Sequence, residues 1–89
     1  MQKILLVEDD PTIVKFLTDF LKQEGYFADS ASGQAEAIKK FESTEYDLVL
    51  MDISLKDGNG FVVCSALKQL CDVPVIFLTA SDDEHSVVA

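Results

Sequence analysis

Three carboxylates stand where apolar runs end: Glu8 and Asp9 follow Ile4-Leu5-Leu6-Val7, and Asp52 closes Leu48-Val49-Leu50-Met51. Apolar runs without polar alternation read as strands covered on both faces, the habit of parallel sheets flanked by helices. In such open sheets ligands bind at the carboxyl ends of the strands, so acids there are placed for chemistry rather than packing. Val75-Ile76-Phe77-Leu78 is a further run of this kind, and it ends on Thr79. With the strands side by side, Glu8, Asp9, Asp52 and Thr79 share one rim. Crowded carboxylates raise one another's pKa unless a cation joins them. A hard divalent ion resolves the conflict: Mg²⁺ takes about six oxygens at roughly 2.0–2.1 Å, commonly one or two carboxylates, waters and a phosphate. No cysteine or histidine lies at this rim to favour zinc. The plain alternative is helix capping, and Asp10 before Pro11 fits it well. Capping does not account for acids at matching strand ends, and Thr79 alone, a β-branched residue ending a strand, needs no function.

These residues need a scaffold, and the chain supplies one in order. After Asp10-Pro11, Ile13, Phe16, Leu17, Phe20 and Leu21 fall at helical spacing as one apolar stripe, and Gly25 is placed to stop the helix. Tyr26 to Ala31 is short and partly polar, as an edge strand would be. Ala35, Ala37, Ile38 and Phe41 support a second helix, with Glu42 to Tyr46 as a solvated turn into the central strand. Phe61, Val62, Cys64, Leu67 and Leu70 mark a third helix ending near Cys71-Asp72, and Val73 to Leu78 forms the next strand with Pro74 at its start. Asp82 to Ala89 reads as the first turns of a fourth helix, with acids at its positive end. The order β-α-β-α-β-α-β with short connections predicts an open parallel sheet with right-handed crossovers and helices on both faces.

At 89 residues there is room for one small domain, and 48% hydrophobic against 26% charged residues describes a globular chain. Sixteen acids against seven basic residues give a net charge of -9, which repels nucleic acid and anionic membrane. Cys64 and Cys71 lie seven apart on one predicted helix, too far for a disulfide, and read as small hydrophobes in a reduced protein. The N-terminus enters a strand directly and no stretch reaches transmembrane length, so a cytoplasmic location is expected.

The stretches Ile4 to Asp10, Leu48 to Ile53, Gly58-Asn59-Gly60 and Val75 to Ala80 together resemble the receiver domain of two-component response regulators, in order and spacing over nearly the whole chain. That resemblance implies a flavodoxin-like sheet of order 2-1-3-4, with a fifth strand following in the family at large. It implies that Asp52 is the phosphoacceptor, taking a phosphoryl group from the phosphohistidine of a sensor histidine kinase or phosphotransfer protein. Glu8 and Asp9 match the acidic pair that holds Mg²⁺, with Asp9 the direct ligand and Glu8 acting partly through water. Ser54 matches the position whose backbone carbonyl completes the metal site. Thr79 matches the switch hydroxyl that bonds a phosphoryl oxygen, and Ala80 the small residue whose N–H does the same.

The sequence also departs from the family. Ten residues follow Thr79 and no Lys or Arg occurs after Lys68, so the family's fifth strand, its lysine, its aromatic switch residue and its last helix have no counterpart here. The expectation is a receiver domain over residues 1–89 that stops in its fourth helix, with β-strand Val75 to Leu78 as an apolar edge and a bare sheet face. Such surfaces attract partners, which points to a weak switch that forms homodimers or larger assemblies. Lys56 stands where the family usually has proline, implying a looser loop. Two other readings remain. A Mg²⁺-dependent phosphohydrolase could use Asp52 as nucleophile, although the position two residues on is Ser54 rather than a second acid. A non-phosphorylated interaction module would bind partners through the fold alone.

Overall fold

The computed structural model describes residues 2–52, 60–70 and 72–78. Its elements are β1 (Lys3–Val7), α1 (Pro11–Gln23), β2 (Phe27–Ala31), α2 (Gln34–Ser43), β3 (Leu48–Asp52), α3 (Gly60–Leu70) and β4 (Val75–Leu78). The strands form one sheet in the order β2-β1-β3-β4, parallel throughout. This is the architecture read from the sequence. Strand β4 begins two residues later than predicted: Pro74 has no N–H to donate, and only its carbonyl joins the ladder, accepting the Val49 N–H at 3.0 Å. The predicted fourth helix, residues 82–89, lies outside the described residues.

Alternation along the strands divides the core in two. Leu5 and Val7 of β1, Val49 and Met51 of β3, and Val75 and Phe77 of β4 meet Ala37 and Phe41 of α2 and Val63 and Leu67 of α3. On the other face, Ile4 and Ala28 pack with Leu21 of α1, against half-buried Leu48 and Leu50. Helix α1 is bounded as the sequence required. The Asp10 carboxylate accepts the Thr12 N–H at 2.9 Å. At the other end Gly25 has φ +93°, and the N–H groups of Gly25 and Tyr26 reach back to the carbonyls of Lys22 and Leu21 at 3.1 and 3.0 Å. That is a Schellman stop, which needs a left-handed residue that glycine adopts without a Cβ penalty.

Two helix faces differ from expectation. The α1 stripe is only partly used: Leu21 is buried, whereas Phe16 and Phe20 are 68% and 50% exposed. Helix α1 lies chiefly over β2, so the outer part of its apolar arc extends beyond the strands it covers. In α3 the buried positions are Gly60, Val63 and Leu67, with Cys64 half-buried, while Phe61, Val62 and Leu70 are more than half exposed. Helical spacing identifies an apolar arc but not which edge of it the sheet occupies.

The turn before β3 is less solvated than its composition suggests. Tyr46 is buried, stacks on Phe41 at 6.2 Å between ring centroids, and donates its hydroxyl to Asp29 of β2 at 2.9 Å. Lys40 of α2 donates to the same Asp29 carboxylate at 3.0 Å and to the Ser30 carbonyl. Burial raises the Asp29 carboxyl, but the bonds from Lys40, Tyr46 and the Ser30 N–H outweigh it and hold the group below its ordinary pKa. Burial and then the Asp29 charge push the Tyr46 phenol up to about 12. The trio ties α2 and its exit turn to the edge strand β2.

Candidate phosphoacceptor and metal site

Parallel register sets the site. Val7 lies opposite Met51, so the next residues, Glu8 and Asp52, leave adjacent strands side by side, and both continue the alternation that carries Ile4, Leu6, Leu48 and Leu50 on one face. Both are buried, Asp52 to 2% exposure and Glu8 to 4%. Asp9, half-buried, begins the connection to α1. Glu8, Asp9 and Asp52 each offer a carboxylate oxygen within 4.8 Å of the others, an arrangement able to hold a metal ion. Asp10 is not part of it. Its carboxylate caps α1, and its N–H is donated to Glu8 Oε2 at 3.1 Å, which aims the Glu8 side chain.

Electrostatics at this rim demand a counter-charge. Burial, with the nearby charges of Asp52 and Asp9, pushes the Glu8 carboxyl up to about 7, against the opposing Asp10 N–H bond. Near neutral pH a proton therefore occupies, part of the time, the place that a cation would fill. The donor set is all oxygen, which suits Mg²⁺ rather than a soft metal. Among the described residues the structure thus brings together Glu8, Asp9 and Asp52. Ser54, Thr79 and Ala80 lie outside the described residues.

A pocket of about 330 Å³ opens beside Glu8 and Asp9, reaching Ser30, Ser32 and Lys40. Sequence reasoning had assigned the β2–α2 segment no part in the site's surroundings. Parallel pairing of β1 with β2 brings it there, since Glu8 N–H donates to the Ala31 carbonyl at 3.0 Å. Local sequence carries no signal for that pairing, which only the family resemblance, with its 2-1-3-4 order, implies.

The family model for the response regulator receiver domain matches residues 4–89. The chain belongs to this family. Curated relatives include the response regulator ArlR of Staphylococcus saprophyticus, 35% identical over 89 residues, covering 100% of this chain and 40% of the relative. Another is the transcriptional activator protein IrlR of Burkholderia pseudomallei, 36% identical over 81 residues, covering 91% of this chain and 35% of the relative. The receiver chain thus spans less than half the length of these relatives. Among solved structures, the Thermotoga maritima response regulator TrrA in complex with Mg²⁺-BeF superposes with TM-score 0.86 at 40% identity, covering 92% of this chain and 72% of that one. A complex of histidine kinase ThkA with TrrA gives TM-score 0.86 at 39% identity, covering 97% and 75%. A two-component response regulator from Clostridium difficile gives 0.88 at 31% identity, covering 94% and 69%. The fold is accordingly the flavodoxin-like receiver fold, and no helix among the described residues is long and apolar enough to cross a membrane.

Proposed function

We propose that this receiver accepts a phosphoryl group on Asp52 from the phosphohistidine of a sensor histidine kinase or phosphotransfer protein, in the cytoplasm. The observation that carries the reading is the buried Asp52 carboxylate at the end of β3 with oxygens of Glu8 and Asp9 close by. A carboxylate oxygen of Asp52 attacks phosphorus, the N–P bond breaks, and its electron pair returns to the imidazole. Positioning and charge neutralisation are most of what phosphoryl transfer requires. Glu8, Asp9, Asp52 and the Ser54 carbonyl would hold Mg²⁺, which would supply neutralisation of the charge gathered at the acceptor. Thr79 and Ala80 would contact the phosphoryl oxygens, and the Thr79 hydroxyl drawn to them biases the loop that follows. The role is phosphoacceptor, with at most self-catalysed transfer and dephosphorylation, rather than turnover enzyme. The TrrA structures, one with Mg²⁺-BeF and one with a histidine kinase, support the same chemistry here.

The test is NMR titration with Mg²⁺, then with beryllofluoride as phosphoryl mimic, on this chain and on Asp52→Asn. Saturable Mg²⁺ shifts at Glu8, Asp9 and Asp52, with a beryllofluoride response that the variant loses, are expected. Absence of any Mg²⁺ response would remove the metal-assisted reading. Mg²⁺ shifts without a beryllofluoride response would leave a metal site that does not capture phosphoryl groups.

Self-association is a second proposed property of this segment. In the described sheet β4 is an edge strand with half-buried Ile76 and Leu78, and α1 exposes Phe16 and Phe20. Light scattering across a concentration series is expected to show dimers or larger species. A monomer at every concentration would defeat the idea.

A further inference from the structure

At the rim opposite Asp52, the α2–β3 connection and the end of α3 enclose a pocket of about 480 Å³. Its lining includes Phe41, Tyr46 and Leu70, together with Glu42, Glu45 and Asp47. We propose that this pocket docks an arginine side chain presented by a segment of another protein.

Three features of the pocket select that occupant. Its only ionic lining is acidic, and no lysine among the described residues pairs with Glu42, Glu45 or Asp47. The Asp47 carboxylate accepts the backbone N–H of Lys3 at 2.7 Å, a dipole that leaves its charge in place. The half-exposed Leu70, with the small exposed parts of the otherwise buried Phe41 and Tyr46, adds apolar surface for an alkyl stem. A guanidinium on its alkyl stem meets these demands: it binds carboxylates in a fork and sheds water more readily than an ammonium, while the stem packs on apolar surface.

A second copy of this chain does not fit the description. All of its basic residues are lysines, and each copy carries a net charge of -9, so two copies repel at an acidic patch. The occupant therefore comes from a different chain. Docking here leaves the phosphoacceptor rim open, because β3 runs its five residues between the two, roughly 3.3 Å per residue. The proposal does not depend on phosphorylation of Asp52.

A capped pentapeptide with one arginine between two leucines is the probe, titrated into the isotope-labelled chain. Peptides with citrulline or lysine at the central position are the comparisons, and Glu42→Gln/Glu45→Gln is the variant, both positions being exposed. Saturable shifts confined to Phe41, Glu45, Tyr46, Asp47 and Leu70 are expected. Citrulline and the double variant should each weaken binding at least about fivefold. An unchanged Mg²⁺ response in the variant would show that its fold is intact. Equal binding of the citrulline peptide would reduce the pocket to an apolar groove and overturn the proposal. Equal binding of the lysine peptide would overturn the guanidinium assignment, and no saturable shift at these residues would overturn the site.

Discussion

Asp52→Asn should abolish phosphoryl uptake, lowering incorporation from acetyl phosphate with Mg²⁺ by more than about 100-fold while leaving the fold in place. The amide is nearly isosteric with the carboxylate but is a far poorer nucleophile toward phosphorus. It also removes a negative charge from the buried cluster with Glu8 and Asp9. Thermal stability of the metal-free variant should therefore match or exceed that of the parent, because the charge at Asp52 contributes to the unfavourable crowding at Glu8. Intact-mass measurement after incubation, with chelator as control, reads the first effect, and a thermal melt reads the second. Undiminished mass gain in Asp52→Asn would move the acceptor to another residue. Loss of uptake together with loss of the folded baseline would show that Asp52 is needed for the structure, not for the chemistry alone.

Glu8 gives the second large effect, and its sign is opposite to the usual behaviour of a carboxylate. Its pKa is about 7 in the folded chain, above the ordinary value of 4.5. The folded state therefore holds a proton that the unfolded chain has already lost. The associated stability is fully present below pH 4.5 and is lost as pH rises through 7. The full shift corresponds to about 3 kcal/mol, of which about 2 kcal/mol falls between pH 5.5 and pH 8.5, a fall in Tm on the order of 10 °C in chelator. Asp29 and Glu36 act in the other direction. Their carboxyls lie below the ordinary values, so the stability that they contribute is present above those values and is lost as pH falls. A metal-free optimum in mildly acid solution follows. Mg²⁺ should flatten the high-pH side, since the cation takes the place of the proton. Glu8→Gln, which imitates the protonated side chain, should flatten it without metal. Should the variant keep the parent's slope in calorimetric melts, the titrating group lies elsewhere.

Both predictions concern one rim, and that rim was largely legible from local sequence. Apolar runs ending in Glu8-Asp9 and in Asp52 require strands that deliver acids to a carboxyl edge, because a parallel sheet buries both faces of its strands and leaves only their ends for polar groups. The Asp10-Pro11 start and the Gly25 stop of α1 were equally plain. Capping is decided by one side chain, by one ring-fixed φ and by one left-handed residue, all of them local properties. The order of elements and the family resemblance followed from the same short motifs.

Long-range placement decided the rest. Phe16 and Phe20 share an apolar arc with Leu21, yet only Leu21 is buried, because coverage depends on where α1 rests on the sheet. Val63 rather than Phe61 or Val62 faces the core of α3 for the same reason. Tyr46 read as part of a polar turn until β2, α2 and β3 came together and placed its hydroxyl on Asp29, a residue 17 positions away. The sequence by itself determined which chemistry is present and at which strand ends it sits, since that is a matter of residue types next to local structure. Only the tertiary structure decided that Glu8 and Asp52 are buried side by side, and hence that Glu8 retains a proton near neutral pH, because desolvation and charge crowding depend on distances between strands that are far apart in the chain.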